Sequence, residues 1–324
     1  MYNNLQKYFS SLVFLIKILI IAGAYYVISD KLLNDSNFNS FLWFERFETL
    51  DSSGVSFMIS IVLFTLINWI LEILKWKSLV STISGISFIQ AAKQSLASLT
   101  ASLLTPNRIG EYGAKAIYYS KPKRPKILML NFLGNAYQML MTLLFGAIGL
   151  LILGDHFSFQ TIPVSYRLGF FTVLVILFFT LITFQKKWIN PFQRIVNTFL
   201  KIPFDTHKTA MLYSAGRYVI FSHQFYLFLL FFGVDLEYSI AMPIIMLMYL
   251  ISSVIPGFVL FDWLVKGSVA LTLFRLFGVN DIVVLSITAS MWILNFALPA
   301  VMGSYYVLTF DSRVLKFSES KLKE

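Results

Sequence analysis

SLASLTASLLTPNRIGEYGAK, residues 95–115, decides how the rest of the chain is read. Its first eleven residues are only Ser, Leu, Ala and Thr. Small side chains of this kind let helices approach closely in lipid. Pro106 disfavours helical backbone at Thr105, so a helix that starts near residue 88 stops there. Asn107, Arg108 and Gly110 make a turn. Glu111 falls in the first turn of the next helix, where the positive dipole end favours an acid. Lys115 is its i, i+4 partner. A short helix of small residues, a Pro/Gly break and a short charged helix form the pattern of a re-entrant hairpin, here spanning 88–120. Broken backbone is tolerated at membrane depth only where it is buried in protein or lines a wet cavity. The competing reading is a cytoplasmic loop with two amphipathic helices.

The composition around that stretch supports a membrane setting. The 324 residues are 57% apolar and 13% charged, and mean hydropathy is +0.74. Soluble domains are about 45–50% apolar and about 25% charged. Disorder, collagen and a small disulfide scaffold are excluded on the same grounds. With no cysteine and three scattered histidines, no disulfide, thiolate metal site or zinc site is expected, and no metal or other cofactor is called for. Spans of about 20 apolar residues are predicted at 12–28, 57–74, 127–153, 166–185, 209–234, 238–255 and 282–310. The stretch 260–277 is also apolar but carries Asp262, Lys266 and Arg275. The first span reads as a retained anchor, since Lys17 interrupts it and no small-residue cleavage site follows.

Sidedness follows from the basic residues. With the N-terminus in the cytoplasm, 260–277 crossing and 88–120 re-entrant, 19 of the 26 Lys and Arg fall in cytoplasmic segments and only Lys31 and Arg46 fall outside. Nine acids lie in the outer loops. Both termini are then cytoplasmic. The net charge of +10 becomes a topology signal, with anionic headgroups as its partners at the cytoplasmic face and no nucleic acid implied. The basic run KPKRPK (121–126) reads first as such a signal. The stretch 187–205 mixes aromatic, aliphatic and basic residues and predicts an interfacial helix. The expected fold is therefore an all-α polytopic bundle of about eight spanning helices plus the hairpin, in one integral membrane domain over 1–324.

Charges inside spans cost a few kcal/mol each on insertion scales and need a reason. Asn68, Glu72 and Lys75 share one helix face at i, i+4, i+7 spacing. Trp76 and Lys75 suit an interfacial belt. Glu72 does not, and either pairs between helices or lines a cavity. IPGFVLFDWLVKGS (255–268) repeats the logic of the first break: Pro256 and Gly257 precede Asp262 and Lys266, again four apart, giving a broken, charged helix over 256–277. Two Pro/Gly breaks, each followed by acid-x-x-x-Lys, point to an internal repeat with a site near the broken helices. Arg217 lies within its span and either snorkels or faces inward. His223 and Asn295 are read as hydrogen-bonding core residues.

TPNRIGEYGAK resembles the Thr-Pro-x-x-x-Gly-Glu signature of the lysylphosphatidylglycerol synthase transmembrane region, a flippase-like family. NWILEILKW (68–76), IPGFVLFDWLVKGS and ILNFALPAVMGSYY (293–306) resemble further elements of that family in the same order. In the second element Phe258, Val259 and Leu260 stand where the family is glycine-rich, and Asp262 stands in the place of its acid. The resemblance implies a helical bundle with re-entrant helices and a role in lipid translocation or lipid-linked glycan pathways. It carries over Thr105, Pro106, Gly110 and Glu111 as motif positions. No stretch is long enough for the soluble aminoacyl-transferase domain of bifunctional members, so no synthase activity is expected.

Three functions fit. The favoured one is a lipid translocase, in which Thr105, Pro106, Arg108, Gly110, Glu111, Lys115, Asp262, Lys266, Glu72 and Arg217 build a polar path. In it Arg108, Lys115 or Lys266 meets phosphate and Glu111 or Asp262 meets an amine. No G-x-x-x-x-G-K-[ST] motif occurs, so no ATPase of its own drives it. The second is an intramembrane enzyme acting on a lipid or polyprenyl phosphate, with Glu111 and Asp262 as acid and base. It is less favoured because neither a metal-binding cluster nor a Ser-His-Asp arrangement is apparent, so no residue is assigned as catalytic. The third is a non-transporting partner of an envelope lipid or glycan synthesis complex.

Overall fold

The computed structural model describes residues 52–103, 105, 108–154, 199–254 and 262–310. Among these every regular element is helical and no strand occurs. In chain order they are α1 (Ser52–Val80), α2 (Phe88–Leu103), α3 (Ile109–Ala116), a single 3-10 turn (Lys121–Lys123) and α4 (Arg124–Leu153). Then follow α5 (Phe204–Phe231), α6 (Tyr238–Val254), α7 (Asp262–Arg275) and α8 (Asp281–Trp292). A π-helical turn (Ile293–Ala297) joins α8 to α9 (Leu298–Leu308). The spans expected at 12–28 and 166–185 lie outside the described residues, as do residues 187–198 of the expected interfacial helix, Pro256 and Gly257.

Among the described residues three helical stretches are long and apolar enough to cross a membrane: Gly54–Val80, Lys121–Leu153 and Asp281–Leu308. They coincide with the spans predicted at 57–74, 127–153 and 282–310. α1 shows how such a helix differs from one built for water. Its exposed side chains include Ile59, Val62, Leu63, Leu66, Ile67 and Ile70, whereas Asn68 and Lys75 are buried. That is the reverse of a soluble amphipathic helix. α4 does the same, exposing Phe132, Leu144, Ile148 and Leu151 and burying Asn131 and Thr142.

α1 runs along α5, α4 along α6, and α9 against α2. The largest apolar cluster joins α4 to α8 through Tyr218, Phe225, Phe228, Phe274 and Met248. A second joins α1, α2, α4 and the start of α5 through Trp76, Leu79, Ile127 and Ala210. The α9–α2 contact needs a glycine. A Cβ on Gly303 would fall on the Leu96 carbonyl and on Thr100 Oγ1. At that contact Thr100 Oγ1 donates to the Ala300 carbonyl at 2.8 Å, a small-residue contact of the kind that holds helices together without a hydrophobic driving force.

Candidate functional site

The break after α2 is stitched by its own side chains. The Gly110 N–H donates to Thr105 Oγ1 at 2.8 Å, and that hydroxyl donates to the Ser102 carbonyl at 3.1 Å. Arg108 takes left-handed backbone (φ 57°), and its carbonyl accepts the Glu111 N–H at 3.0 Å. Gly110 is required by space: a Cβ there would overlap the Ala101 carbonyl. α3 thus folds back against α2 and buries Glu111 (7% exposed) and Lys115 (2%).

These side chains open on a cavity of about 530 Å³. Its charged lining is Glu72, Arg108, Glu111, Lys115, Arg217 and Lys266. Six of the ten residues singled out in the sequence therefore meet in one space, from α1, the break, α3, α5 and α7. Thr105 and Gly110 hold the break that shapes the wall. Pro106 and the side chain of Asp262 lie outside the described residues, although Asp262 begins α7.

Both described acids of the cavity are already paired. Glu72 Oε2 accepts from Lys75 Nζ at 2.7 Å and from the Arg217 guanidinium. Glu111 Oε1 accepts from Lys115 Nζ at 2.7 Å, and the same ammonium donates to Asn131 Oδ1 at 2.8 Å and lies 4.4 Å from the centre of a Trp76 ring. Two acids against four bases leave the described lining net positive. The two cations beside the chain breaks share one ring: Arg108 Cζ lies 5.2 Å and Lys266 Nζ 5.5 Å from the centre of Phe296. Ser95 and Gln138 also line the cavity, and Ser95 Oγ and Gln138 Oε1 have no hydrogen-bond partner among the described residues.

A chain of amides fixes the opposite wall. Arg217 Nε donates to Asn68 Oδ1 (3.0 Å), Asn68 Nδ2 to Asn295 Oδ1 (2.8 Å), and Asn295 Nδ2 to Gln224 Oε1 (2.9 Å). Gln224 Nε2 continues to Thr65 Oγ1 at 2.6 Å and the Ile61 carbonyl at 3.0 Å. The backbone takes part for a covalent reason. Pro299 has no N–H, so the Asn295 carbonyl four residues earlier loses its ordinary helical donor. Trp69 Nε1 fills the vacancy at 3.3 Å, and the helix widens to a π turn at this point, a distortion frequent at functional sites.

Asn135, Gln138 and Thr142 line the cavity as well and were not singled out from the sequence. With Asn131 they follow i, i+4, i+7, i+11 along the apolar α4, so a polar stripe was there to be found. Phe296 and Gln224 gave no such signal. Among the described residues no group of His, Asp or Glu is placed to hold a metal ion. The described lining suits binding of an anionic group, because both described carboxylates are neutralised by neighbours and cations outnumber them. Comparison of the chain with protein-family models, curated proteins and solved structures finds no match to any of them.

Proposed function

We propose that the chain is an integral protein of a bacterial cytoplasmic membrane and passes a phosphate-bearing lipid headgroup through the central cavity. This is the role implied by the resemblance of TPNRIGEYGAK to the flippase-like family. On this reading about eight helices span, α2 and α3 are the re-entrant hairpin, and both termini are cytoplasmic. The observation that carries it is a net-positive cavity of about 530 Å³, walled by a broken helix, inside a body whose helices expose apolar side chains. A headgroup leaving water forfeits its hydration and needs fixed partners. Arg108 and Lys266 are suited to a phosphate, and the acyl chains stay outside against the apolar helix faces. Glu111 serves to hold Lys115 in place, and an amine on the headgroup meets no uncommitted described carboxylate.

The test is headgroup movement in reconstituted vesicles with a head-labelled phosphatidylglycerol, followed by chemical quenching of the outer leaflet. The wild-type chain is expected to speed translocation. Arg108→Gln, which removes a cation that makes no ion pair among the described residues, is expected to abolish it with insertion unchanged. Glu111→Gln is expected to do the same and also to loosen the fold around Lys115. A wild-type rate from the Arg108→Gln protein defeats the proposal.

A further inference from the structure

A second cavity, of about 390 Å³, lies where the loop before α2 meets the segment between α3 and α4. Ser84, Lys93, Gln94, Tyr118, Ser120 and Lys123 line it, and none of its lining residues is Asp or Glu. Gln94 is its deepest member, 5% exposed. The amide orientation of Gln94 is fixed by chemistry. Its Oε1 accepts from Trp76 Nε1 at 2.8 Å and from Tyr119 Oη at 2.9 Å, and an indole N–H can only donate. The Gln94 NH2 therefore points away from both, and it makes no hydrogen bond among the described residues. The amide donor of this nearly buried side chain is left for an occupant of the pocket.

The basic run KPKRPK forms part of this wall rather than a loose tail. Lys121–Lys123 is wound as a 3-10 turn, and Arg124 Nε donates to the Tyr119 carbonyl at 3.1 Å. On the other side Ser87 and Gln90 form a reciprocal cap, with Ser87 N–H donating to Gln90 Oε1 (2.9 Å) and Gln90 N–H to Ser87 Oγ (3.2 Å), so the start of α2 is held firm. Two lysines, the Gln94 amide and three hydroxyl-bearing residues line the space, and none of its lining residues is an acid. We propose that this pocket is a second binding site, specific for a phosphate group, separate from the central cavity. Phosphate is the ligand chemistry that matches, since it offers several acceptor oxygens and no donor when ionised. It comes either from a soluble phosphate ester or from the headgroup of an anionic lipid. The site does not depend on the translocation reading.

The test is calorimetric titration of the full-length protein in detergent with glycerol 3-phosphate, then in phosphatidylcholine nanodiscs with and without phosphatidic acid. Saturable binding is expected. The Lys93→Gln/Lys123→Gln double variant, which alters only exposed side chains, is expected to weaken it at least about tenfold, the value of one lost charge-assisted contact. Arg108→Gln is expected to leave it unchanged. Competition by phosphatidic acid assigns the site to a lipid headgroup, and its absence assigns it to a soluble ester. No saturable binding, unchanged affinity in the lysine double variant, or loss of binding in Arg108→Gln each overturns the proposal.

Discussion

Replacing Gly110 by alanine tests the geometry on which the cavity depends. A Cβ on Gly110 would stand 2.8 Å from the Ala101 carbonyl carbon and 2.8 Å from Thr105 Oγ1, and closer still to the Ala101 oxygen. The obstacle is backbone, which cannot rotate aside, so α3 must back away from α2. Overpacking of this kind costs about 1–3 kcal/mol. The Gly110–Thr105 hydrogen bond stretches or breaks, at about 0.5–1.5 kcal/mol. Alanine's better helix propensity returns about 1 kcal/mol. The balance is a loss of about 0.5–3.5 kcal/mol. Gly113, one turn along the same helix, has nothing within 4 Å of its Cβ position. There only the propensity term acts, and Gly113→Ala should gain about 0.5–1 kcal/mol. The assay is thermal unfolding in detergent followed by tryptophan emission, with about 2–4 °C expected per kcal/mol in chains of somewhat smaller size. Gly110→Ala should melt several degrees below wild type and Gly113→Ala slightly above it. Shifts of the same sign and size in both would show that α3 does not lie against the Ala101 carbonyl.

Other outcomes follow from the polar chain and the charge distribution. Asn295→Leu strands Asn68 Nδ2 and Gln224 Oε1. Because groups in a bundle can re-pair, the expected loss sits low in the range, about 1–2 kcal/mol, and the Asn68→Leu/Asn295→Leu double variant should cost less than the two single changes together. Additive losses would mean that the two amides do not act as a pair. Arg217→Leu leaves Glu72 with Lys75 alone, and Arg217→Lys keeps the charge but loses the fork that spans Glu72 and Asn68. Melting temperatures should fall in the order wild type, Arg217→Lys, Arg217→Leu. Since the chain has no cysteine, Ser81→Cys and Glu237→Cys can be labelled singly with an impermeant maleimide in oriented vesicles. They should react from opposite faces, with Ser81→Cys cytoplasmic, and reaction from one face alone would sink the proposed topology.

Local grammar was legible in the sequence and long-range pairing was not. The Pro/Gly break, the small-residue helix before it and the i, i+4 pair Glu111–Lys115 are all short-range features, and the structure joins them by contacts within a dozen residues. The spacing of Glu72 fits either pairing between helices or lining a cavity, and the residue does both: it pairs with Arg217 and Lys75 and lines the cavity. What spacing could not reveal is that Asn68 meets Asn295, 227 residues away, or that Phe296 gathers the cations of two separate breaks. Such meetings depend on how helices are laid side by side. The α4 stripe Asn131–Asn135–Gln138–Thr142 was within reach of a periodicity argument, but the strong apolar background of that span hid it.

The wide turn at Ile293–Ala297 also sets the phase of everything after it. A π turn takes in more residues than the 3.6 of an α turn, so it acts like one residue added to a regular helix. One residue is worth about 100° of rotation. Ala300 and Gly303 present themselves to α2 because the wide turn absorbs that extra residue upstream of them. Winding the same residues as a uniform α-helix would swing Gly303 about 100° away from the Leu96 carbonyl and bring a bulkier neighbour into a gap that admits only hydrogen, whereas deleting Leu294 would remove the extra residue and leave Gly303 facing α2. The winding of one helix in the last quarter of the chain thereby sets the register of the α9–α2 contact.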